Sequence, residues 1–134
     1  MCYPGSPALI LLTPIRVGFR RWVPVVDRHE ESAANETVFR EMNEWAAEAN
    51  DSRANGGGPD TYLCECSDER CSTPIRLTHT QYESVRSFPV RFAIALNHEN
   101  PELDSVVAEH LGFAVVEKVG SRATELARAS DPRR

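Results

Sequence analysis

The sequence predicts an α+β fold: a small antiparallel sheet with flanking helices, held by a staple at one end. Three observations predict it. Residues 32–50 repeat apolar side chains at helical spacing, residues 61–66 and 90–96 read as short strands, and three cysteines fall within the eight residues 64–71. At 134 residues, the chain suits one domain and is short for two. A core of that size gains from a cross-link.

Residues 1–31 hold four prolines (4, 7, 14, 24), scattered apolar residues and no helical period. They read as a poorly ordered extension, or as a spurious one created by a misplaced start upstream of a codon such as Val25 or Val26. From Ser32 the pattern changes. Val38, Met42, Trp45 and Ala49 recur at four, three and four residues, with Phe39 and Ala46 beside them. Glu36, Glu41, Glu44 and Glu48 fill the other face, as in an amphipathic helix. Ser32 or Asn35 is placed to cap it. Met42 and Trp45 are therefore expected in the core, the alternative being a face that binds a partner. Residues 51–60 contain three successive glycines and a proline and read as a linker.

The remaining core is expected over 61–130. Residues 61–66 form a strand, a polar turn lies between Cys66 and Cys71, and Ile75 and Leu77 alternate as in a second strand. Thr78-His79-Thr80-Gln81 is a capping box, so a short helix runs to about Arg86, with Tyr82 and Val85 inward and Pro89 beyond it. Residues 90–96 are the strongest strand, with Val90, Phe92, Ile94 and Leu96 on one face. At 101–112 two signals compete. Asn100, Pro101 and Gly112 favour a helix; the echo of Val106-Val107-Ala108-Glu109 in Val115-Val116-Glu117-Lys118 favours a hairpin, which we prefer. Ser121 caps a closing helix to Ala129.

The charge is −5 and the pI about 5.4. That balance argues against nucleic acid or an anionic membrane as partner of the whole chain. The longest strongly apolar run is residues 8–12, against the roughly 20 residues a membrane helix needs. Arg16, Arg20 and Arg21 follow that run, whereas a secretory leader carries its basic residues first, so a cytoplasmic protein is expected.

In a reducing compartment, clustered thiols bind metal or do redox chemistry more often than they form disulfides. Cys64, Cys66 and Cys71 follow the pattern C-x-C-x4-C. Residues two apart on a strand share a side, and the turn returns Cys71 to the same point. Arg70 adjoins Cys71 and favours its thiolate. A tetrahedral zinc needs a fourth donor. His98, in the loop after the 90–96 strand, is the choice; His79 begins a helix, His110 lies in a turn, and His29 and Cys2 lie in the extension. The competing readings are three unrelated core thiols, or a C-x-C pair exchanging disulfides.

A shell of three Cys and one His leaves no place for a water to be activated, the mark of a structural site. No phosphate-binding glycine loop, nucleophile elbow or metalloprotease helix is present in the sequence. No enzyme activity is expected. A protein-interaction or regulatory module is, with a protein as partner. The alternatives are a thiol-based redox or metal sensor and, behind it, a zinc-dependent hydrolase in which His98 swings away.

Several pieces of residues 35–118 together resemble a group of short, uncharacterised actinobacterial proteins. They are Asn35-Glu36, Phe39-Arg40-Glu41, Asn43-Glu44, Cys64-Glu65-Cys66 with Cys71, Leu77-Thr78, Tyr82, Val85-Arg86, Pro89, Phe92, His98-Glu99, Pro101-Glu102 and Val115-Val116-Glu117-Lys118. The resemblance implies a small α+β protein in which three Cys and one His form a metal site. The group generally begins near Ser32 and reads Gly before the His, where this chain has Asn97.

Overall fold

A computed structural model describes residues 28–53 and 58–133. Of the expected extension, residues 1–27 lie outside the described residues, and 28–31 are the first turn of a helix. Of the expected linker, 51–53 continue that helix, 54–57 lie outside the described residues, and Pro59 and Asp60 open a strand.

The elements run α1 (Arg28–Arg53), β1 (Pro59–Leu63), β2 (Pro74–Thr78), α2 (His79–Arg86), β3 (Arg91–Ile94), β4 (Asp104–His110), β5 (Phe113–Lys118) and α3 (Ser121–Ala129). The fold is α+β, as expected, with two small antiparallel sheets instead of one: β1-β2, and β3-β5-β4. The hairpin preferred at 101–112 is present, and Gly112 closes its two-residue turn at φ 92°. Val107 is the extra residue of a bulge in β4.

Local chemistry sets several boundaries. Thr78 and Gln81 form the predicted capping box: Gln81 N donates to Thr78 Oγ1 at 3.0 Å and Thr78 N to Gln81 Oε1 at 2.8 Å. Tyr82 and Val85 are buried, and the Tyr82 ring stacks on Tyr62 of β1 at 4.6 Å. Ser121 does not cap α3. Gly120, at φ 86°, turns the chain out of β5 and occupies the cap position without a side-chain bond.

The core joins Tyr62, Ile75 and Leu77 of the first sheet to Phe92, Ile94, Phe113 and Val116 of the second. Helices cover both faces of the larger sheet. Arg40 of α1 lies 4.5 Å over the Phe92 ring, whereas Val85 and Gln81 of α2 line a cavity with Arg91 and Val115 on the opposite face.

α1 corrects the expectation most sharply. Its buried residues are Glu36, Arg40, Asn43, Ala47 and Asn50, whereas Val38, Met42 and Trp45 are 56%, 45% and 73% exposed. Most of the inward polar groups are engaged, Arg40 Nε being a buried exception. Arg40 NH1 donates to Pro89 O at 2.9 Å and NH2 to Ala127 O at 3.0 Å, at the C-terminal end of α3. Glu36 meets Lys118, whose Nζ also donates to Asp104 Oδ1 at 2.6 Å. Asn43 behaves as an extra strand residue, accepting from Leu63 N and donating to Leu63 O, both at 2.8 Å. Burying polar groups is tolerable only with such partners.

Candidate metal centre

Past Leu63 the chain stays extended, and each residue has one task. Cys64 N donates to Thr73 O at 3.0 Å, which holds the two arms of the cysteine turn together. Glu65 N donates to Ala93 O at 2.8 Å, which ties the segment to β3 of the other sheet. The expected strand 61–66 therefore ends at Leu63 and continues as a bridge between the sheets. Cys64 and Cys66 fall on one side of it, as alternation requires, and Glu65 on the other.

The turn that follows is built on Asp68. Its carbonyl accepts Cys71 N at 3.0 Å and its Oδ1 accepts Arg70 N at 2.9 Å, which brings Cys71 back toward Cys64. Asp68, Glu69 and Arg70 are exposed.

His98 arrives from the end of β3. That strand covers Arg91–Ile94 and stops before the expected Leu96, because Ala95 N donates to Cys64 Sγ at 3.1 Å instead of to a ladder partner. Leu96, expected inward, is 42% exposed. His98 N donates to Ala95 O at 3.1 Å across a tight turn, and Asn97 sits there at φ 68°. Asparagine is among the few residues besides glycine that adopt this left-handed conformation readily.

The structure brings the four predicted residues together. One donor atom from each of Cys64, Cys66, Cys71 and His98 lies within 4.8 Å of all the others, and the set could hold a metal ion. His98 Nδ1 is 3.5 Å from both Cys64 Sγ and Cys71 Sγ, and Cys66 Sγ belongs to the same group. An imidazole nitrogen has one proton or one lone pair and cannot serve both sulfurs fully at once. A cation among them can.

The protonation of the cluster fits that use. The hydrogen bond from Cys64 holds the Cys66 thiol down at about 5 against its burial, helped by Asp68 N–H, His98 and Cys71. The same hydrogen bond, with burial, pushes Cys64 up. A metal ion binds thiolates, so its binding would release the protons these thiols carry. Cys64 and Cys66 are buried, Cys71 is half-buried and His98 is exposed, so the centre has one side in solvent.

The other histidines stand apart from it. His79 opens α2, His29 lies in the first turn of α1, and His110 is in β4 rather than a turn, stacked on Phe113 at 4.6 Å. Cys2 lies outside the described residues.

Sequence reasoning missed the support behind the cysteines. Glu65 is fully buried. Its Oε2 accepts from Tyr82 OH at 2.7 Å and Asn43 Nδ2 at 2.9 Å, and its Oε1 from Ala93 N at 3.0 Å. Burial pushes this carboxyl up, against those three hydrogen bonds. Asn35 Nδ2 donates to Ser67 O at 2.8 Å, which anchors the start of the turn to α1. A signal did exist: Glu36, Arg40, Asn43, Ala47 and Asn50 recur at four, three, four and three residues, the same period as the apolar stripe.

No helix is long and apolar enough to cross a membrane among the described residues. No family model matches the chain, and no curated protein or solved structure matches it either.

Proposed function

We propose that the protein binds one zinc ion at Cys64, Cys66, Cys71 and His98, that the zinc is structural, and that the domain it holds is a cytoplasmic protein-interaction or regulatory module rather than an enzyme. One observation carries the reading: three sulfurs and one imidazole nitrogen lie within 4.8 Å of one another, with His98 Nδ1 3.5 Å from two of the sulfurs, a spacing that suits a shared ion. The edge between sulfur and nitrogen around tetrahedral zinc is about 3.6 Å, and a donor set of three thiolates and one imidazole favours zinc over harder cations. Four protein donors complete the shell and leave no position for a reacting water. The ion would join the bridge between the sheets to the turn after β3, where a domain of this size has little other core.

We propose that the chain is related to the short actinobacterial proteins that it resembles. What supports this is Asn97, whose left-handed backbone is the conformation in which that group's glycine is at home.

Elemental analysis of the purified full chain tests the metal, with a zinc-to-chain ratio near one as the expected result. His98→Ala is expected to lower zinc retention and the melting temperature together. Unchanged zinc content and melting temperature in that variant would overturn the ligand assignment.

A second reading has an observation of its own. Cys71 and His98 form the solvent side of the centre, so an oxidant could reach the sulfurs and release the ion. Stoichiometric zinc release by low peroxide, reversed by a thiol reductant, would favour a redox sensor over a purely structural ion.

A further inference from the structure

We infer that the outward face of α1, formed by Val38, Met42 and Trp45 with Glu41 and Glu48 along one edge, is the docking surface for a basic amphipathic segment of a partner protein. This rests on the proposed role as an interaction module and names the chemistry of the partner.

The helix is built inside out. Successive residues turn by about 100°, so Val38, Met42 and Trp45 share one face while Arg40, Asn43 and Ala47 share the opposite one. That opposite face is committed to the core through the partners of Glu36, Arg40 and Asn43, so rolling the helix to bury the apolar stripe would strip a buried ion pair and a buried guanidinium of their partners. The stripe therefore stays outward. Trp45, 73% exposed, is the residue type most often found at the energetic centre of an interface. Its spacing from Val38 and Met42, at four and three residues, is that of the anchors by which two helices meet.

Charge selects the occupant. Trp45 borders a cleft of about 450 Å³ whose other lining residues are Glu41, Glu44, Glu48, Pro132 and Arg133. Within the cleft Arg133 shows the chemistry Glu44 accepts: its Nε and NH2 donate to Glu44 at 2.6 and 2.7 Å, beside Arg86 Nε at 3.1 Å, and outside the cleft Arg133 also donates to Glu83. Glu41 and Glu48 extend the acidic edge along the stripe and are exposed. A segment with aliphatic or aromatic anchors on one face and Arg or Lys on its flank satisfies both features. An acidic segment meets like charge.

The test uses the full chain carrying Trp22→Phe, which leaves Trp45 as the sole tryptophan. The probes are a fluorescent 18-residue amphipathic peptide of Leu, Lys and Arg, and a twin with Glu at every basic position. The basic peptide is expected to bind and to shift Trp45 emission to the blue, and the acidic twin to do neither. Trp45→Ser is expected to weaken binding at least about tenfold, as loss of a central anchor does. Glu41→Lys with Glu48→Lys is expected to weaken it several-fold. Equal binding of both peptides, binding of neither, or binding indifferent to Trp45→Ser overturns the proposal. Trp45 emission that is already blue without peptide also overturns it. If that shielding depends on protein concentration the occupant is a second copy, and if it does not, the occupant is another part of the same chain. Zinc content measured on the same samples separates the two readings: metal-free protein that binds the basic peptide sinks the zinc centre alone, and zinc-loaded protein that ignores it sinks the docking surface alone.

Discussion

Glu65 takes both main-chain hydrogen bonds of Ala93. Its own N–H donates to Ala93 O at 2.8 Å, and its carboxylate accepts Ala93 N–H at 3.0 Å. A side chain thus completes a ladder that the backbone leaves half made, and it does so between the two cysteines of C-x-C. The same carboxylate accepts from Tyr82 OH and Asn43 Nδ2, so α1, α2, β3 and the cysteine segment converge on one residue. Glu65→Ala would leave Tyr82 OH and Ala93 N–H unpaired and take from Asn43 Nδ2 one of its two acceptors. The expected loss is about 3–5 kcal/mol of stability, the range for a buried charge network broken on one side. Weaker zinc retention should accompany it, because supporting residues orient metal ligands. Urea denaturation and a chelator competition read the two effects. A variant that keeps wild-type zinc affinity would show that the cysteines hold their places without this support.

Asn97 gives a sharper test of the loop that delivers His98. At φ 68°, Asn97→Gly should be neutral or slightly stabilising, whereas Asn97→Val should lose about 1–2 kcal/mol, the usual penalty for a bulkier residue in left-handed backbone. The chelator concentration needed to remove half the zinc should follow the same order, Gly equal to Asn and Val well below. Equal zinc retention in all three would separate the turn from the metal.

Features that depend on a few neighbouring residues were legible in the sequence. The Thr78–Gln81 box, the hairpin before Gly112 and the helix ending at Ala129 are local, and each is where residue chemistry put it. The four donors were legible for a similar reason: three lie in eight residues, and the loop position of His98 distinguished it from the other histidines. What escaped was set by distant partners. β3 stops early because a sulfur from residue 64 claims the N–H of Ala95. The burial of α1 could not be read from periodicity, because its polar and apolar residues both repeat at helical spacing. Only the presence of Lys118, Leu63 and the end of α3 opposite the polar stripe decides which face turns inward.

That inversion predicts opposite outcomes for two neighbouring regions of one helix. Trp45→Ser, the larger change in apolar area, should alter stability by no more than about 0.5 kcal/mol, as exposed substitutions do. Arg40→Ala should destabilise by at least about 3 kcal/mol. It would leave the Pro89 and Ala127 carbonyls without their donor and empty the space over the Phe92 ring. Thermal or urea unfolding of the two variants checks the pair. A large loss from Trp45→Ser would return that side chain to the core.

The third buried network responds to pH. Lys118 faces two carboxylates, Glu36 and Asp104, in a buried space, with Arg40 as a second cation acting on Glu36. Burial pushes Glu36 up to about 7 against the attraction of Lys118, and Asp104 adds to the rise. In the unfolded chain the same group titrates near its ordinary 4.5, so between 4.5 and about 7 the folded state binds the proton that the unfolded state has released. Stability from this group is thus fully present below 4.5 and is lost as pH rises through 7. At 1.36 kcal/mol per pH unit the loss is at most about 3 kcal/mol. Glu36→Gln fixes the neutral form. The variant should therefore gain on the wild type by roughly 2–3 kcal/mol between pH 5 and pH 8, read by urea denaturation at both values with metal held constant. A difference between variant and wild type that does not change with pH would mean that Glu36 stays ionised beside Lys118 throughout, with Asp104 or solvent absorbing the imbalance.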